Sequence, residues 1–336
     1  MESPHLSIVI PVYNAQRYIK RCIDSVLKQS LPSDQYDVIV VNDGSSDDTG
    51  TILKGYGNKI CVISQLRKGP AVARNLGARH GRGKVLLFTD ADCIADVNWA
   101  RNMLVPFSNA NADIVQGVYR TNQKQMVARF AQIEIEQRYY RMEVKQCIDM
   151  IGTYSAAFRK EIFERFKGFN ETFPMASGED LEFIWRIRNQ SKDVKIVLNR
   201  DAYVFHTHPA TFRAYWQQKY FRAYWRIGLY LYYRKKIVAE SYTPTSLKLS
   251  VLLILISPFV LLCCIALRSN WIYLVISLYL LFLFFSYLPL FLFVVNRDFL
   301  LGLASPYYIT ARAVALAFGV LGWFLDKLLG RVRFAD

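Results

Sequence analysis

The hydrophobic positions divide the chain into two parts with different patterns. Over residues 1–210, short apolar runs alternate with segments of helical spacing, as in Leu6–Val12 followed by Gln16–Gln29. This alternation is typical of an α/β domain. Beyond it, uncharged apolar runs span 249–267 and 271–295. Each run is long enough to cross the roughly 30 Å hydrocarbon core of a bilayer, so we expect a membrane domain after the α/β domain.

A third apolar segment, 299–325, contains Pro306 and Arg312. Its uninterrupted part, Ala313–Leu325, is short for a membrane span. The sequence therefore leaves two alternatives for this segment, a tilted third transmembrane helix or a helix at the membrane interface. We expect two or three transmembrane helices in total.

Basic and aromatic residues are interleaved immediately before the first apolar run, over residues 211–248. The formal net charge of the chain is +15 at pH 7, and this segment contributes many of its cations. Such a mixture can stack single-stranded nucleic acid. Its place beside membrane spans instead favours interfacial helices, because Trp and Tyr anchor at the bilayer surface and Lys and Arg meet lipid phosphates. We expect membrane lipids as partners, and no nucleic acid.

The amino-terminal residues and the cysteines bear on the compartment. Residues 1–5 lead directly into the strand-length run Leu6–Val12, without the apolar region of a secretory signal. We therefore expect an integral membrane protein whose α/β domain is cytoplasmic, in agreement with the basic segment. The cysteines lack metal-ligand spacing and are expected to be reduced thiols. They are Cys22, Cys61, Cys93, Cys147, Cys263 and Cys264.

Aspartates follow two of the predicted strands. Asp90 and Asp92 come after the apolar run Val85–Phe88, and Asp43 follows the strand predicted over Tyr36–Val41. In open α/β sheets the ligand crevice lies beyond the carboxyl ends of such strands. Two carboxylates there can share a divalent cation that binds a diphosphate. Aspartates are also common in turns and helix caps, so these positions alone leave both interpretations open.

Five short motifs in a fixed order resemble those of family 2 glycosyltransferases, which have the GT-A fold. They are SIVIPVYN at 7–14, VNDGS at 41–45, GPAVARN at 69–75, DAD at 90–92 and GED at 178–180. The resemblance covers about residues 5–215. It implies a Rossmann-like mixed sheet flanked by helices, a nucleotide-sugar donor, Mg²⁺ or Mn²⁺, and inversion at the sugar. Asn42 stands where many members have a second aspartate, which affects only contacts with the nucleobase.

The resemblance also implies roles for single residues. These are Pro11, Tyr13 and Asp43 around the nucleobase and ribose, Arg74 near the diphosphate, Asp90 and Asp92 on the donor and its metal, and Asp180 as the base. For Arg74 the alternative is a solvated helix arginine. For Asp180 it is an acid that complements the helix dipole, an interpretation that suits Glu182 well.

Two histidines close the predicted α/β domain. His206 and His208 are two residues apart on one predicted strand, so their side chains are expected on the same side. GT-A enzymes often use a late histidine near the metal, and we expect His206, rather than His208, to be that ligand.

Together these features predict a membrane-anchored inverting glycosyltransferase whose acceptor is a hydroxyl of a lipid-linked or membrane-proximal glycan. A hydroxyl needs a base, whereas a phosphate acceptor is already ionised, so Asp180 disfavours the alternative of a polyprenyl-phosphate glycosyltransferase. The segment Gln217–Phe221 matches poorly the Gln-x-x-Arg-Trp signature of processive synthases. A non-catalytic nucleotide-binding membrane scaffold is the rival from another class. The predicted domains are 1–210 (catalytic), 211–248 (interfacial) and 249–336 (membrane).

Overall fold

The structure is a computed structural model that describes residues 6–145, 148–173, 178–237, 240, 243–267 and 271–331. The chain divides into two compact units, one formed by 1–122 and 146–207, the other by 123–145 and 208–336. The expectations for residues 1–5 and for the thiols of Cys147 and Cys264 lie outside the described residues and side chains. The described thiols of Cys22, Cys61, Cys93 and Cys263 are free.

Within the described residues, eight strands form one mixed sheet in the first unit. They are β1 (Leu6–Val12), β2 (Tyr36–Asp43), β3 (Cys61–Gln65), β4 (Val85–Phe88), β5 (Cys93–Ala95), β6 (Ile114–Arg120), β7 (Ala156–Arg159) and β8 (Ile196–His206). Their order across the sheet is β3-β2-β1-β4-β7-β6-β8-β5. The first four strands of this order run parallel, whereas β7 is antiparallel to both neighbours and β5 is antiparallel to β8. The predicted α/β class with a mixed sheet is confirmed.

Helices alternate with the strands in the first unit and make up most of the second. They are α1 (Ile19–Val26), α2 (Thr49–Lys54), α3 (Pro70–His80), α4 (Trp99–Asn109), α5 (Met126–Val144), α6 (Lys160–Arg165), α7 (Glu179–Gln190), α8 (Phe212–Tyr232), α9 (Thr245–Leu267), α10 (Trp271–Val295) and α11 (Phe299–Leu328). Short 3-10 turns occupy Gly57–Lys59, Thr153–Ser155 and Arg234–Ile237.

The sheet of the first unit has a hydrophobic core on each face. Ile8 and Ile10 of β1 pack with α1 and α4 on one face, and Val9 between them packs with α3, α6 and α7 on the other. This follows from the two-residue period of a strand. At Gly77 of α3, an added Cβ would lie only 2.4 Å from Val9 Cγ1. A glycine is therefore required for α3 to approach β1 so closely, and α3 carries Arg74.

Several element boundaries differ from those that the sequence predicted. The apolar pattern predicts a third strand over Lys59–Ser64, whereas β3 covers Cys61–Gln65, because a 3-10 turn occupies Gly57–Lys59. The strand β5 was not predicted; it has three residues and is defined by its pairing with β8. The helix α5, which lies inside the predicted 1–210 domain, belongs to the second unit. The functional assignment of the three domains stays a prediction.

In the second unit, three of the described helices are long and apolar enough to cross a membrane. The candidate spans are Thr245–Cys263, Ile272–Val295 and Phe299–Leu328. The third is one continuous helix of 30 residues that passes through Pro306 and Arg312. The side chain of Arg312 is buried and donates to Glu134 of α5 at 2.8 Å. This ion pair explains how an apolar helix can carry an arginine near its middle.

Candidate active site

The carboxylate of Asp43, the last residue of β2, organises the loop that leads into α3. Its Oδ1 accepts hydrogen bonds from Gln65 Nε2 (2.7 Å) and the Lys68 amide (2.8 Å). Its Oδ2 accepts from the Gly69 amide at 2.9 Å. Gly69 has a φ of 96° and directly precedes Pro70, the first residue of α3. The buried Asp43 therefore determines where α3 begins, and its contact with a nucleobase stays a prediction.

Arg74, on the second turn of α3, connects two acidic residues that are far apart in the chain. Its side chain is only 3% exposed, and Nη2 donates to Asp90 Oδ1 at 2.7 Å. Nη1 donates to Glu179 Oε1, also at 2.7 Å. The alternative of a solvated helix arginine is thereby wrong. Arg74 joins the segment after β4 to the first turn of α7, and its direct contact with a diphosphate stays a prediction.

Glu179 is a buried carboxyl group beside two charged neighbours. Burial raises its pKa, Asp180 raises it further and Arg74 opposes both, so that the pKa lies at about 7. Its Oε2 has no hydrogen-bond partner among the described residues. Gly178, which precedes it, has a φ of 117°, a left-handed conformation that favours glycine. A perturbed acid next to a buried cation is typical of functional sites.

Asp180 and Glu182 share the first turn of α7 with Glu179 but differ in their surroundings. Asp180 is partly exposed. Burial acts to lower the pKa of the Arg74 guanidinium, and the charges of Asp90, Glu179 and, to a smaller extent, Asp180 outweigh it and raise that pKa. Glu182 is buried and accepts from Arg186 Nε at 2.8 Å and Nη2 at 3.0 Å. Glu182 is thus held in an ion pair along its own helix, as expected of a structural acid.

Asp92 and His206 form a second pair at the same sheet. His206 Nε2 lies 3.3 Å from Asp92 Oδ2, because His206 at the end of β8 is in register with Cys93 of β5. Burial acts to raise the pKa of Asp92, and the hydrogen bond and charge of His206 outweigh it and lower the pKa. His208 belongs to the second unit, where its Nε2 is 2.8 Å from Gln132 Oε1.

The donor set at Asp92 and His206 fits a divalent cation that completes its shell with other ligands. No cluster of three or more His, Cys, Asp or Glu side chains suited to a metal occurs in the described part of the chain. Mg²⁺ is usually held by one or two carboxylates together with substrate phosphates and water, and oxygen ligands also suit Mn²⁺. Asp90 points one oxygen at Arg74, and its role as a further ligand stays a prediction.

At the end of β1, an aromatic ring and a cation are stacked. Tyr13 is 39% exposed, and the guanidinium carbon of Arg67 lies 4.2 Å from the centroid of its ring. Pro11, two residues earlier in β1, is in register with Val41 of β2. A ring face beside a guanidinium can receive a nucleobase or an anion. The roles of Pro11 and Tyr13 in donor binding stay predictions.

Sequence reasoning missed the contributions of Arg67 and Glu179. The only local signal for Glu179 was its place before Asp180 in the GED motif, where an acid is also explained by the helix dipole. Arg67 carried no signal, because its partner ring lies more than fifty positions earlier in the chain. The other predicted residues lie at the carboxyl edge of the sheet or on the helices α3 and α7 that begin there, with the exception of His208.

Comparison with known proteins identifies the family. Residues 7–166 match the model described as "Glycosyl transferase family 2". Glycosyltransferase AglE of Haloferax volcanii is 34% identical over 118 residues, which are 34% of this chain and 39% of that protein. Uncharacterized glycosyltransferase EpsJ of Bacillus subtilis is 28% identical over 218 residues, 61% of this chain and 62% of that protein. The chain thus spans less than two thirds of the length of either relative.

Among solved structures, mannosyltransferase PcManGT from Pyrobaculum calidifontis in complex with GDP-Man and Mn²⁺ resembles this chain. The TM-score is 0.61 at 18% identity, over 96% of this chain and 88% of that one, a likeness of fold. The motifs, the family match and the fold agree. Residues 7–166 form a family 2 glycosyltransferase domain, the fold is that of GT-A structures, and the described C-terminal part contains three helices long and apolar enough to cross a membrane.

Proposed function

We propose that this protein is a membrane-anchored, inverting glycosyltransferase that moves a sugar from a nucleotide-sugar donor to a hydroxyl of a lipid-linked or membrane-proximal glycan. The observation that carries the proposal is the pair of hydrogen bonds from Arg74 to Asp90 and Glu179. These hydrogen bonds connect the segment after β4, which contains Asp90, to α7, whose second residue is Asp180. Transfer of a sugar from a nucleotide diphosphate needs positive charge near the diphosphate and a base near the acceptor. Through Arg74, the helix α3 connects the segment of the proposed metal ligand Asp90 to the helix that carries the proposed base Asp180.

The donor is assigned to the carboxyl edge of β1, β2 and β4. Tyr13 and Pro11 lie beside the nucleobase, Asp43 holds the loop around it, and Arg74 contributes positive charge near the diphosphate. Asp92 and His206, with Asp90, are the proposed ligands of Mg²⁺ or Mn²⁺. When bound, such an ion would stabilise the negative charge on the departing diphosphate. The GT-A relative was solved with GDP-Man and Mn²⁺, which supports this choice of ion.

The base is assigned to Asp180. An inverting displacement needs one carboxylate to accept the proton of the attacking hydroxyl, and that carboxylate must reach the acceptor. Asp180 is partly exposed, whereas Glu179 is buried and accepts a hydrogen bond from Arg74. We therefore assign proton transfer to Asp180 and the positioning of Arg74 to Glu179. Holding the base close to the acceptor before the reaction also accelerates the transfer.

The membrane orientation completes the proposal. All basic residues of the 211–248 segment except Lys248 precede the first candidate span, Thr245–Cys263, and Lys248 lies in its first turn. Cationic segments beside a span favour the cytoplasmic side of the membrane. We propose that the glycosyltransferase domain lies on that side, where nucleotide sugars are made.

A pair of substitutions in α7 tests the assignment of the base. We expect Asp180→Asn to reduce the turnover of the purified full chain by about 10²–10⁴-fold, the usual contribution of a general base. Binding of the nucleotide-sugar donor, measured by calorimetry, should change little. The matched control is Glu182→Gln in the same helical turn. Since Glu182 is held by Arg186, this variant should lose stability rather than turnover per folded molecule.

The outcome of this test also separates the two acceptor chemistries. If Asp180→Asn keeps full turnover and binds the donor normally, Asp180 is not a base, and a phosphate acceptor, which needs none, replaces the hydroxyl. If neither the wild-type chain nor the variant binds any UDP-, GDP- or TDP-sugar with Mn²⁺, the proposed function fails. The non-catalytic scaffold predicts donor binding without turnover in the wild-type chain.

A further inference from the structure

The second unit contains a cavity of about 560 Å³ with an unusual concentration of positive charge. Its size lies within the range of roughly 300–1,000 Å³ that is common for small-molecule sites. Among the described residues that line it, none is acidic and six are basic. The basic residues are Arg138, Lys219, Arg222, Arg226, Lys248 and Arg312.

The remaining wall of this cavity is largely apolar and comes from the candidate membrane spans. Leu252 and Leu255 of α9 line one side, and Leu316 and Val320 of α11 line another. On α11, Leu316 and Val320 follow Arg312 at intervals of about one helical turn, so a cation and apolar side chains lie on the same face of this helix. The cavity is therefore amphipathic along the helices that form it.

A buried carboxylate holds two of the cations in place. Glu134 of α5 accepts from Lys219 Nζ at 2.7 Å, from Arg312 Nη1 at 2.8 Å and from the Tyr215 hydroxyl at 3.0 Å. Burial acts to raise the pKa of Glu134, and the charges of Lys219 and Arg312 outweigh it, so that the pKa lies well below its usual range. One ionised carboxylate thus faces two cations, so these three side chains together carry a net positive charge.

A second carboxylate plays the same part at the start of α9. Lys248 Nζ lies 3.1 Å from Glu240 Oε1, and the hydroxyl of Tyr230, another lining residue, donates to the same carboxylate. Burying a cation beside lipid is costly, and intramembrane charges usually mark a functional site. Six cations that line one cavity together with apolar side chains fit an anionic group that brings an apolar chain with it.

From this geometry we infer that the cavity binds a membrane lipid with a phosphate or diphosphate headgroup. The phosphate oxygens would be bound by cations of the lining, among which Arg222 and Arg226 of α8 can supply guanidinium hydrogen bonds. The chain would lie along the leucines of α9 and α11, where burial of each methylene group favours binding. Free phosphate would leave that apolar wall uncovered. That the bound lipid carries the sugar acceptor rests on the proposed function; the binding itself does not.

The test measures binding of radiolabelled geranylgeranyl phosphate to the purified full chain in phosphatidylcholine nanodiscs. We expect saturable binding that geranylgeraniol and inorganic phosphate displace poorly, because each offers only half of the recognised structure. The variant Arg222→Gln/Arg226→Gln should weaken binding about tenfold or more, the loss expected for charge-assisted hydrogen bonds. The control Arg234→Gln/Lys235→Gln removes two exposed cations that follow α8 but do not line the cavity, and should stay within about twofold.

Three results would overturn the inference. One is equal weakening by the two double variants, which indicates general attraction to a basic surface. Another is equal affinity for inorganic phosphate and geranylgeranyl phosphate, which indicates a site for free phosphate. The third is the absence of binding by the wild-type chain. Since the comparison of lipid, alcohol and inorganic phosphate needs no substitution, it remains decisive if a variant does not fold. Lipid binding that persists in Asp180→Asn without transfer separates this inference from the proposed function.

Discussion

Replacing Arg74 with alanine tests whether its buried guanidinium holds the two halves of the candidate active site together. Arg74 is 3% exposed and hydrogen-bonds both Asp90 and Glu179. Removing one partner of a buried ion pair usually costs about 3–5 kcal/mol of unfolding free energy. The pKa of Glu179 is already raised to about 7, so its carboxyl can take up a proton once Arg74 is gone. We therefore expect the lower end of that range, about 3 kcal/mol at pH 7.

The expected change is large enough to measure by thermal unfolding. For a unit of this size, 1 kcal/mol corresponds to a shift in Tm of about 2–4 °C, which gives a decrease of about 6–12 °C. Trp99 and Trp185 are fully buried in the first unit, so its unfolding changes their fluorescence, and circular dichroism gives a second measure of the transition. Because Arg74 lowers the pKa of Glu179, its removal raises that pKa further, and the decrease should grow only when the pH rises past this higher value.

Arg79→Ala provides a matched control on the same helix. Arg79 also lies near a glutamate, with Nη1 3.7 Å from Glu171 Oε1, but its side chain is 59% exposed. Exposed ion pairs contribute about 0–1 kcal/mol, so the Tm should fall by less than about 4 °C. Equal shifts in the two variants would refute the reasoning that burial gives Arg74 its role. The combined variant Arg74→Ala/Glu179→Ala should lose less unfolding free energy than the two single variants lose in total.

Three further predictions follow from the site. Burial raises the pKa of Glu179 from 4.5 unfolded to about 7 folded, so unfolding free energy should fall as pH rises between these values. Glu179→Gln should remove about 3 kcal/mol of that fall, measured by urea unfolding at pH 4.5 and 7.5, and an unchanged pH dependence would contradict it. After removal of metal with a chelator, His206→Ala should need an Mn²⁺ concentration about tenfold higher or more for half-maximal activity. His80→Ala should need no more Mn²⁺ than the wild-type chain, and the same Mn²⁺ requirement in both variants would exclude His206 as a ligand. Asp43→Ala leaves the Lys68 and Gly69 amides without their acceptor and should lower the free energy of unfolding, measured by thermal unfolding, by about 2–4 kcal/mol. The control Asp34→Ala removes an exposed carboxylate, and an equal loss of unfolding free energy in both variants would refute this role of Asp43.

Periodicity and composition along the chain were sufficient for the α/β class, most strands and the long apolar helices that are candidates for membrane spans. The strand Leu6–Val12 was predicted with its observed bounds, because all of its residues except the half-buried Pro11 are buried, and the continuous apolar run records this. Hydropathy likewise identified 249–267 and 271–295, since a bilayer-spanning helix must be apolar on every side. The order of the five motifs was enough to indicate the family, and the family match over 7–166 bears this out.

The partners of the charged side chains were decided only by the tertiary structure. Arg74 and Glu179 are 105 positions apart, and Arg312 and Glu134 are 178 apart, so no local pattern relates them. Whether such an arginine is solvated or buried depends on which helices pack beside it, and this in turn depended on details such as Gly77 against β1. The basic cavity has the same origin, because α5, α8, α9 and α11 each contribute part of its charge or wall. Local sequence therefore specified which apolar residues are buried and in what kind of element, whereas long-range packing specified which charged side chains are buried and which opposite charge each of them meets.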